Sequence, residues 1–111
     1  MTVLLIGGAW QGKAALAEKL YPALPLTKNL HQMVRQTLAA GWDPMELLPA
    51  LRGRAVTCDE VGCGVVPLDP EEERYREAVG RLCCALAAEA DAVVRVIAGV
   101  PQYIKGGTVC I

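Results

Sequence analysis

The chain has 111 residues, a formal net charge of −1, and a hydrophobic content of 53% that suffices for a packed core. That length predicts a single domain over residues 1–111. The absence of any block of Lys and Arg argues against a nucleic-acid partner. No apolar run approaches the roughly 20 residues of a membrane span, and no basic leader precedes an apolar core. We therefore expect a cytoplasmic protein with no membrane partner.

The first part of the chain pairs a short apolar strand with two helices. Residues 2–6, TVLLI, are apolar on both faces and predict a buried parallel strand. Residues 12–21 predict a helix, and residues 22–26 carry two prolines and predict a loop. A second helix is expected from Thr27, as its cap, to about Ala40.

The segment that follows carries a strong helix-start signal. Asp43 is a capping residue, Pro44 occupies the first helical position, and Glu46 stands three residues after the cap. Pro49 predicts that this helix is short or kinked, and Gly53 ends it. No strand is expected between the first helix and residue 53.

The second half alternates strand, loop, helix and strand. Residues 54–58, RAVTC, predict a second buried strand, and residues 59–68 form a loop with two glycines and a proline. Residues 70–90 predict a long helix with an apolar stripe. Residues 92–98, AVVRVIA, predict a third strand, and Gly99-Val100-Pro101 are expected to turn the chain.

This order predicts an α/β fold: a small, mostly parallel sheet with flanking helices and a short C-terminal hairpin. The hairpin strands are expected to be QYI and TVCI, on either side of Lys105-Gly106-Gly107. In such sheets ligands bind at the carboxyl ends of the strands. The glycine-rich loops 7–12 and 59–68 are both expected at that edge.

The first of these loops has the spacing G-x-x-x-x-G-K at Gly7, Gly12 and Lys13. Between a strand and a helix, this pattern is typical of a loop whose N–H groups surround phosphates while the lysine reaches the terminal ones. The dinucleotide pattern G-x-G-x-x-G fails at the second glycine. The alternative is a glycine turn that only lets strand and helix pack closely. The predicted nucleotide-binding residues are Gly7, Gly8, Ala9, Trp10, Gln11, Gly12, Lys13 and Ala14.

Ala14 stands where such loops carry Ser or Thr, the hydroxyl that ligates Mg²⁺ between the phosphates. The sequence therefore predicts that GTP or ATP is bound through the backbone and Lys13, with weak or no phosphoryl transfer. Asp59 and Glu60, two adjacent acidic residues after the second strand, are candidate Mg²⁺ ligands in place of that hydroxyl. The alternative is that they form only a solvated turn.

The chain has five cysteines, Cys58, Cys63, Cys83, Cys84 and Cys110. They form no C-x-x-C pair, so free thiols in a reducing compartment are the simplest interpretation. A zinc site built from Cys58, Cys63 and the Cys83-Cys84 pair is the alternative, although these spacings match no usual zinc pattern.

Residues 2–20 and 55–106 resemble the adenosylcobinamide kinase / adenosylcobinamide-phosphate guanylyltransferase family of cobalamin biosynthesis. The likeness rests on the glycine-rich loop after the first strand and on a specific E-V-G-x-G-x-V-P run. The residues that carry it in the second half are Val56-Thr57, Glu60-Val61-Gly62, Gly64, Val66-Pro67, Arg74-Tyr75-Arg76, Gly80-Arg81, Ala87-Ala88, Ala90-Asp91, Gly99 and Lys105.

The resemblance implies a P-loop NTPase-like fold, a nucleoside triphosphate and a corrinoid as ligands, a homo-oligomer, and GMP transfer through a guanylylated histidine. The chain departs from the family by its shortened middle region, by Gln11 and Ala14 in place of two loop serines, and by Cys83-Cys84 in place of Asn-Gln. His31 is the single histidine, and the alternative to an acceptor role is an ordinary boundary residue. The candidate catalytic residues are Lys13, Glu60 and His31.

Three interpretations follow from the sequence. The first is a shortened relative that binds a nucleotide but has weak or no catalysis. The second is an active cobinamide kinase and guanylyltransferase with a relocated metal site. The third is a structural homo-oligomer that keeps the fold without a ligand. A small sheet leaves apolar surface to cover, so self-association is expected in each case.

Overall fold

A five-stranded sheet organises residues 1–60 and 69–106, the part of the chain that the computed structural model describes. The spatial order of the strands is β2-β3-β1-β4-β5, and all run parallel except β5, which is antiparallel to β4. The predicted α/β class with a mostly parallel sheet is therefore confirmed. The strands are β1 (Val3–Gly7), β2 (Leu26–Thr27), β3 (Ala55–Asp59), β4 (Ala92–Ile97) and β5 (Val100–Lys105).

The helices cover both faces of the sheet. One face carries α1, with a core of Val3, Leu5, Leu16, Ala17, Ala55, Ala92, Val94 and Val96. The other carries α2 and α4, whose core includes Leu4, Leu30, Val34, Val56, Val79, Leu82 and Leu86. Burial on both faces explains why the central strands are mostly apolar at consecutive positions. The helices are α1 (Lys13–Leu20), α2 (Leu30–Ala39), a 3₁₀ helix (Pro44–Leu47), α3 (Leu48–Leu51) and α4 (Pro70–Glu89).

Both acidic helix caps are confirmed. The Asp43 carboxylate accepts a hydrogen bond from the backbone N–H of Met45, and Asp69 accepts one from that of Glu71. The helix after Asp43 is short, as expected, because the 3₁₀ turn passes directly into the four residues of α3. The long helix α4 spans the predicted range to within a residue.

The start of α2 differs from the prediction. Thr27 does not cap the helix but lies in β2, which pairs with Ala55 and Val56 of β3 where no strand was expected. The helix cap is Asn29, in the left-handed region at φ 59° and without a side-chain capping bond. Its backbone N–H donates to Thr57 Oγ1 at 3.0 Å. A two-residue strand with partners 29 positions away leaves no periodic pattern in the sequence.

The C-terminal hairpin is confirmed. The predicted strand segment QYI lies within β5, and β5 pairs with β4. The chain reverses at Ala98-Gly99, which overlaps the turn predicted at Gly99-Val100-Pro101. Ala98 at φ 51° and Gly99 at φ 76° have the positive φ values of a tight hairpin turn. The segment TVCI, predicted as the second strand, lies outside the described residues, as do residues 61–68 of the second glycine-rich loop. None of the described helices has the length and apolar character that crossing a membrane requires.

Candidate functional site

The sheet topology creates a crevice at the carboxyl ends of β1 and β3. These strands are neighbours in parallel register, with Gly7 opposite Asp59. The helix that follows β1 packs on one face of the sheet, and α4, which follows β3, packs on the other. The two connections therefore leave in opposite directions, which is the arrangement where open α/β sheets bind ligands.

The loop from β1 to α1 turns through two left-handed residues, Trp10 at φ 63° and Gly12 at φ 81°. Gly12 precedes the first turn of α1 and supplies no side-chain cap, and that turn contains no acidic residue. The first N–H groups of a helix have no partner within it, and they carry its partial positive charge. This helix end is therefore suited to an anion.

Gln11 ties the loop to the β4–β5 turn. Its carbonyl oxygen accepts from the Gly99 N–H at 2.8 Å, and its side-chain oxygen accepts from the Ala98 N–H. A further bond joins the loop to β3, from the Glu60 N–H to the Gly7 carbonyl at 2.8 Å. No local sequence pattern predicts the bonds between Gln11 and the β4–β5 turn, because Gln11 and Ala98 are 87 positions apart.

Lys13 lies at the centre of the crevice. Its side chain is only 7% exposed, and its Nζ contacts Asp59 Oδ1 and donates to the Gly8 carbonyl, both at 2.7 Å. Residues from the loop and from the end of β3 therefore hold one buried ammonium. The sequence singled out both residues but did not pair them, because it placed Asp59 only as a possible metal ligand.

His31, at the start of α2, reaches the same carboxylate. Its Nδ1 accepts from the Asp59 N–H at 3.1 Å, and its Nε2 lies 3.4 Å from Asp59 Oδ2. An imidazole that accepts at Nδ1 carries its proton at Nε2 when neutral, so Nε2 faces the carboxylate as a donor. Both ring nitrogens are engaged with Asp59, and neither presents a lone pair to a ligand.

A cavity of about 340 Å³ opens over these residues. The structure brings together there the predicted residues 9–14, His31 and Asp59, joined by lining residues such as Lys28, Asn29 and Gln32 that the sequence did not single out. Gly7 and Gly8 do not line it. The lining residues are Ala9, Trp10, Gln11, Gly12, Lys13, Ala14, Ala15, Lys28, Asn29, His31, Gln32, Thr57 and Asp59.

Gly7 is required by packing rather than by the cavity. A Cβ at this position would overlap the carbonyl oxygen of Val96 on the neighbouring strand β4. The sequence left open the alternative of a glycine turn that only allows close packing. The contact of Gly7 with the Val96 backbone agrees with that alternative at this position. Gly12, at φ 81°, is a glycine because of its backbone conformation.

Glu60 stands apart from the cavity. Its carboxylate pairs with Arg95 of β4, with Oε1 at 3.0 Å from the Arg95 Nε. Of the three candidate catalytic residues, the structure therefore brings Lys13 and His31 together and places the Glu60 side chain elsewhere.

The zinc alternative involves residues that do not all meet. Cys58 and Cys83 are in contact, whereas Cys84 is exposed, and Cys63 lies outside the described residues. Within residues 1–60 and 69–106, no three His, Cys, Asp or Glu side chains are grouped to hold a metal ion.

Comparison with known proteins identifies a family for this chain. A family model described as cobinamide kinase / cobinamide phosphate guanyltransferase matches residues 24–104, which is well over half of the chain. The matched region contains α2, β3 and α4 and begins after the loop at residues 7–12. A comparison with curated proteins gave no match. The match is consistent with the P-loop NTPase-like, α/β fold described above, and the chain belongs to the cobinamide kinase / cobinamide phosphate guanyltransferase family.

Proposed function

We propose that the cavity binds the phosphates of a nucleoside triphosphate, GTP or ATP, and that the chain is a single P-loop NTPase-like domain with weak or no catalysis. The observation that carries the proposal is the buried Lys13 ammonium, which stands behind a glycine-rich loop at the N-terminus of α1 and lines the cavity. Family membership supports the same ligand class, since the family name describes a kinase and a guanyltransferase.

The charges around the cavity favour an anion. Two lysines, Lys13 and Lys28, line it against one carboxylate, that of Asp59, and the α1 N-terminus adds partial positive charge. The cavity volume of about 340 Å³ lies at the lower end of the range for small-molecule sites. That size suits a phosphate chain held at the protein, with the remaining ligand extending outwards. Lys13 would then be shared between Asp59 and the terminal phosphates.

The residues present do not fit a Mg²⁺ ion held in the usual way. Ala14 offers a methyl group instead of a hydroxyl oxygen, and both carboxylate oxygens of Asp59 face partners, Lys13 and His31. Phosphoryl transfer depends on charge neutralisation by that ion, so its poor fit supports binding without efficient turnover.

Calorimetric titration with GTP and ATP tests the proposal. Lys13→Met keeps the buried stem but removes the ammonium, and it should weaken binding at least about tenfold, or about 1.4 kcal/mol. Lys19→Met is the matched control, because Lys19 lies exposed on the same helix and should leave affinity unchanged. Unfolding curves establish that both variants are folded.

A second readout uses the two tryptophans of the chain. In a Trp42→Phe background, Trp10 at the cavity is the single tryptophan, and its emission on excitation at a wavelength where tyrosine absorbs little should change on titration with the same affinity as in calorimetry. No heat and no fluorescence change at millimolar nucleotide would refute the proposal. The loop would then be a packing turn, as the third interpretation of the sequence holds.

A second candidate is an active cobinamide kinase and guanylyltransferase in cobalamin biosynthesis, with a corrinoid as the acceptor. Family membership favours it, and so does the position of His31 in the same cavity as Lys13. Against it stand the missing Ala14 hydroxyl and the two ring nitrogens of His31 that face Asp59. An imidazole must present a lone pair to accept a GMP group.

Incubation with α-labelled GTP and cobinamide separates the two candidates. The proposal expects no label on the protein and no product above background, whereas labelling that is lost in His31→Gln would establish the second candidate. Ala14→Ser should make nucleotide binding tighten with Mg²⁺ if the hydroxyl is the missing part.

We also propose that the chain forms a homo-oligomer through the β5 edge of the sheet. Three apolar side chains there, Ile97, Val100 and Ile104, are 51%, 63% and 58% exposed. Exposed apolar surface of this kind is typical of a protein interface. Analytical ultracentrifugation should give an oligomer for the native chain and a monomer for Ile104→Glu.

A further inference from the structure

Two thiols from distant parts of the chain meet beside the candidate site. Cys58 is the residue of β3 directly before Asp59, and Cys83 lies on the inner side of α4. Their sulfur atoms are 3.7 Å apart, which is direct contact. A disulfide bond is about 2 Å long, so the two sulfur atoms must approach each other by about 1.7 Å to form one.

The two thiols differ in accessibility. Cys58 is 1% exposed, whereas Cys83 is half-buried at the edge of the α4 core. Contact with Cys58 lowers the pKa of Cys83 against the effect of burial, while contact with Cys83 and burial raise the pKa of Cys58. An accessible thiol that ionises first, next to a second thiol that can resolve it, is the arrangement of redox-sensitive cysteines.

We propose that Cys58 and Cys83 are a peroxide-sensitive pair that forms a reversible disulfide between β3 and α4. The Cys83 thiolate attacks hydrogen peroxide and breaks its O–O bond, which gives a sulfenic acid and, after proton uptake, water. The Cys58 sulfur then attacks the Cys83 sulfur, an S–S bond forms, and the hydroxyl leaves as a second water with the Cys58 proton. Two thiols are oxidised and one peroxide is reduced.

This pair connects the redox state of the protein with the end of β3 that carries Asp59. The proposal needs no nucleotide, and its test by mass spectrometry is independent of nucleotide binding. Failure of the disulfide would therefore leave the proposed function untouched, and the reverse holds as well.

The experiment uses a variant with only the two thiols in question, Cys63→Ser/Cys84→Ser/Cys110→Ser. The folded variant is treated with hydrogen peroxide, and the remaining thiols are alkylated. We expect a mass loss of about 2 Da from two thiols joined in one disulfide, full loss of alkylation at both positions, and recovery of both thiols with dithiothreitol. In the same background, Cys58→Ser should stop at the sulfenic acid of Cys83, which a dimedone probe captures.

The wild-type chain gives a second measurement should the variant fold poorly. Cleavage after Glu60 separates Cys58 from Cys63, and fragmentation of the linked peptide distinguishes the adjacent Cys83 and Cys84 as partners of Cys58. A Cys58–Cys83 linked peptide is expected. A link from Cys58 to Cys63, a disulfide between chains, or unlinked Cys83 that oxidises to the sulfinic acid would overturn the proposal.

Discussion

Replacing Asp59 by Asn should destabilise the fold more than replacing Lys13 by Met, although both changes remove the same ion pair. The Lys13 side chain is 7% exposed and that of Asp59 is 25% exposed, with 2.7 Å between their charged atoms. Asp59→Asn leaves a buried ammonium with the Gly8 carbonyl and a neutral amide. Lys13→Met leaves a carboxylate that still reaches solvent and His31.

The size of each effect follows from this asymmetry. Stranding one partner of a buried pair costs about 3–5 kcal/mol. Because the amide of Asn still accepts a hydrogen bond and the site is partly open, we expect about 2–3 kcal/mol for Asp59→Asn. For Lys13→Met, where the stranded charge keeps its hydration, we expect about 1 kcal/mol.

Urea unfolding followed by circular dichroism measures both values, and the larger one corresponds to a midpoint shift of about 1–2 M. The double variant Lys13→Met/Asp59→Asn should be more stable than Asp59→Asn alone, because no uncompensated charge remains buried. Lys19→Met controls for the loss of a lysine from α1. If Lys13→Met is the more damaging change, or if the double variant is the least stable, this account of the ion pair is wrong.

Other predictions concern glycine packing and one tyrosine. Gly7→Ala should destabilise the fold by about 2 kcal/mol or more, because the methyl group would overlap the Val96 carbonyl oxygen. Gly80→Ala is its control: nothing lies within 4 Å of an added Cβ in this interior turn of α4, and stability should rise by up to about 1 kcal/mol in the same urea assay. Burial, and then a hydrogen bond with Tyr103, raises the pKa of Tyr21 from 10.0 to about 12. The folded state therefore favours the protonated phenol. The stability that Tyr21 contributes in this way is complete below pH 10 and is lost as the pH rises towards 12. In Tyr21→Phe the free energy of unfolding should vary less with pH over that range, and an unchanged slope would contradict the assignment.

The parts of the fold that the sequence predicted are those whose signals are local. β1, β3 and β4 are mostly apolar at consecutive positions because helices cover both faces of the sheet, so their burial is visible in the local sequence. The caps Asp43 and Asp69 bond to N–H groups only two residues away. Such signals require no knowledge of the tertiary structure.

The features that were missed depend on distant partners. β2 is a strand because β3 offers an edge to it, with partners 29 positions along the chain. The prediction paired QYI with TVCI across the glycines at residues 106–107, whereas the described partner of β5 is β4.

The candidate site likewise has a part that local sequence signals predict and a part that depends on distant partners. The loop could be predicted because glycine spacing between a strand and a helix reflects backbone geometry. Its partners could not, since Asp59 and His31 reach Lys13 only through the order of β1 and β3 and the start of α2. Glu60 adjoins Asp59 in the sequence, yet it belongs to a different pair, because consecutive residues at a strand end point to opposite sides.

Gln11 and Ala14 stand at the two loop positions where the sequence resemblance implies serines. The Gln11 side chain bonds to the Ala98 N–H and its carbonyl oxygen accepts from the Gly99 N–H, so the loop is fixed to the β4–β5 turn. Ala14 carries a methyl group, which can ligate no metal ion. Under the proposed function, the first residue keeps the loop in a shape suited to a phosphate, while the second lacks the oxygen that would hold a metal. Shape governs binding and the metal governs transfer, which is why the proposed function separates the two and why Lys13 and Ala14 are the residues whose substitution tests them independently.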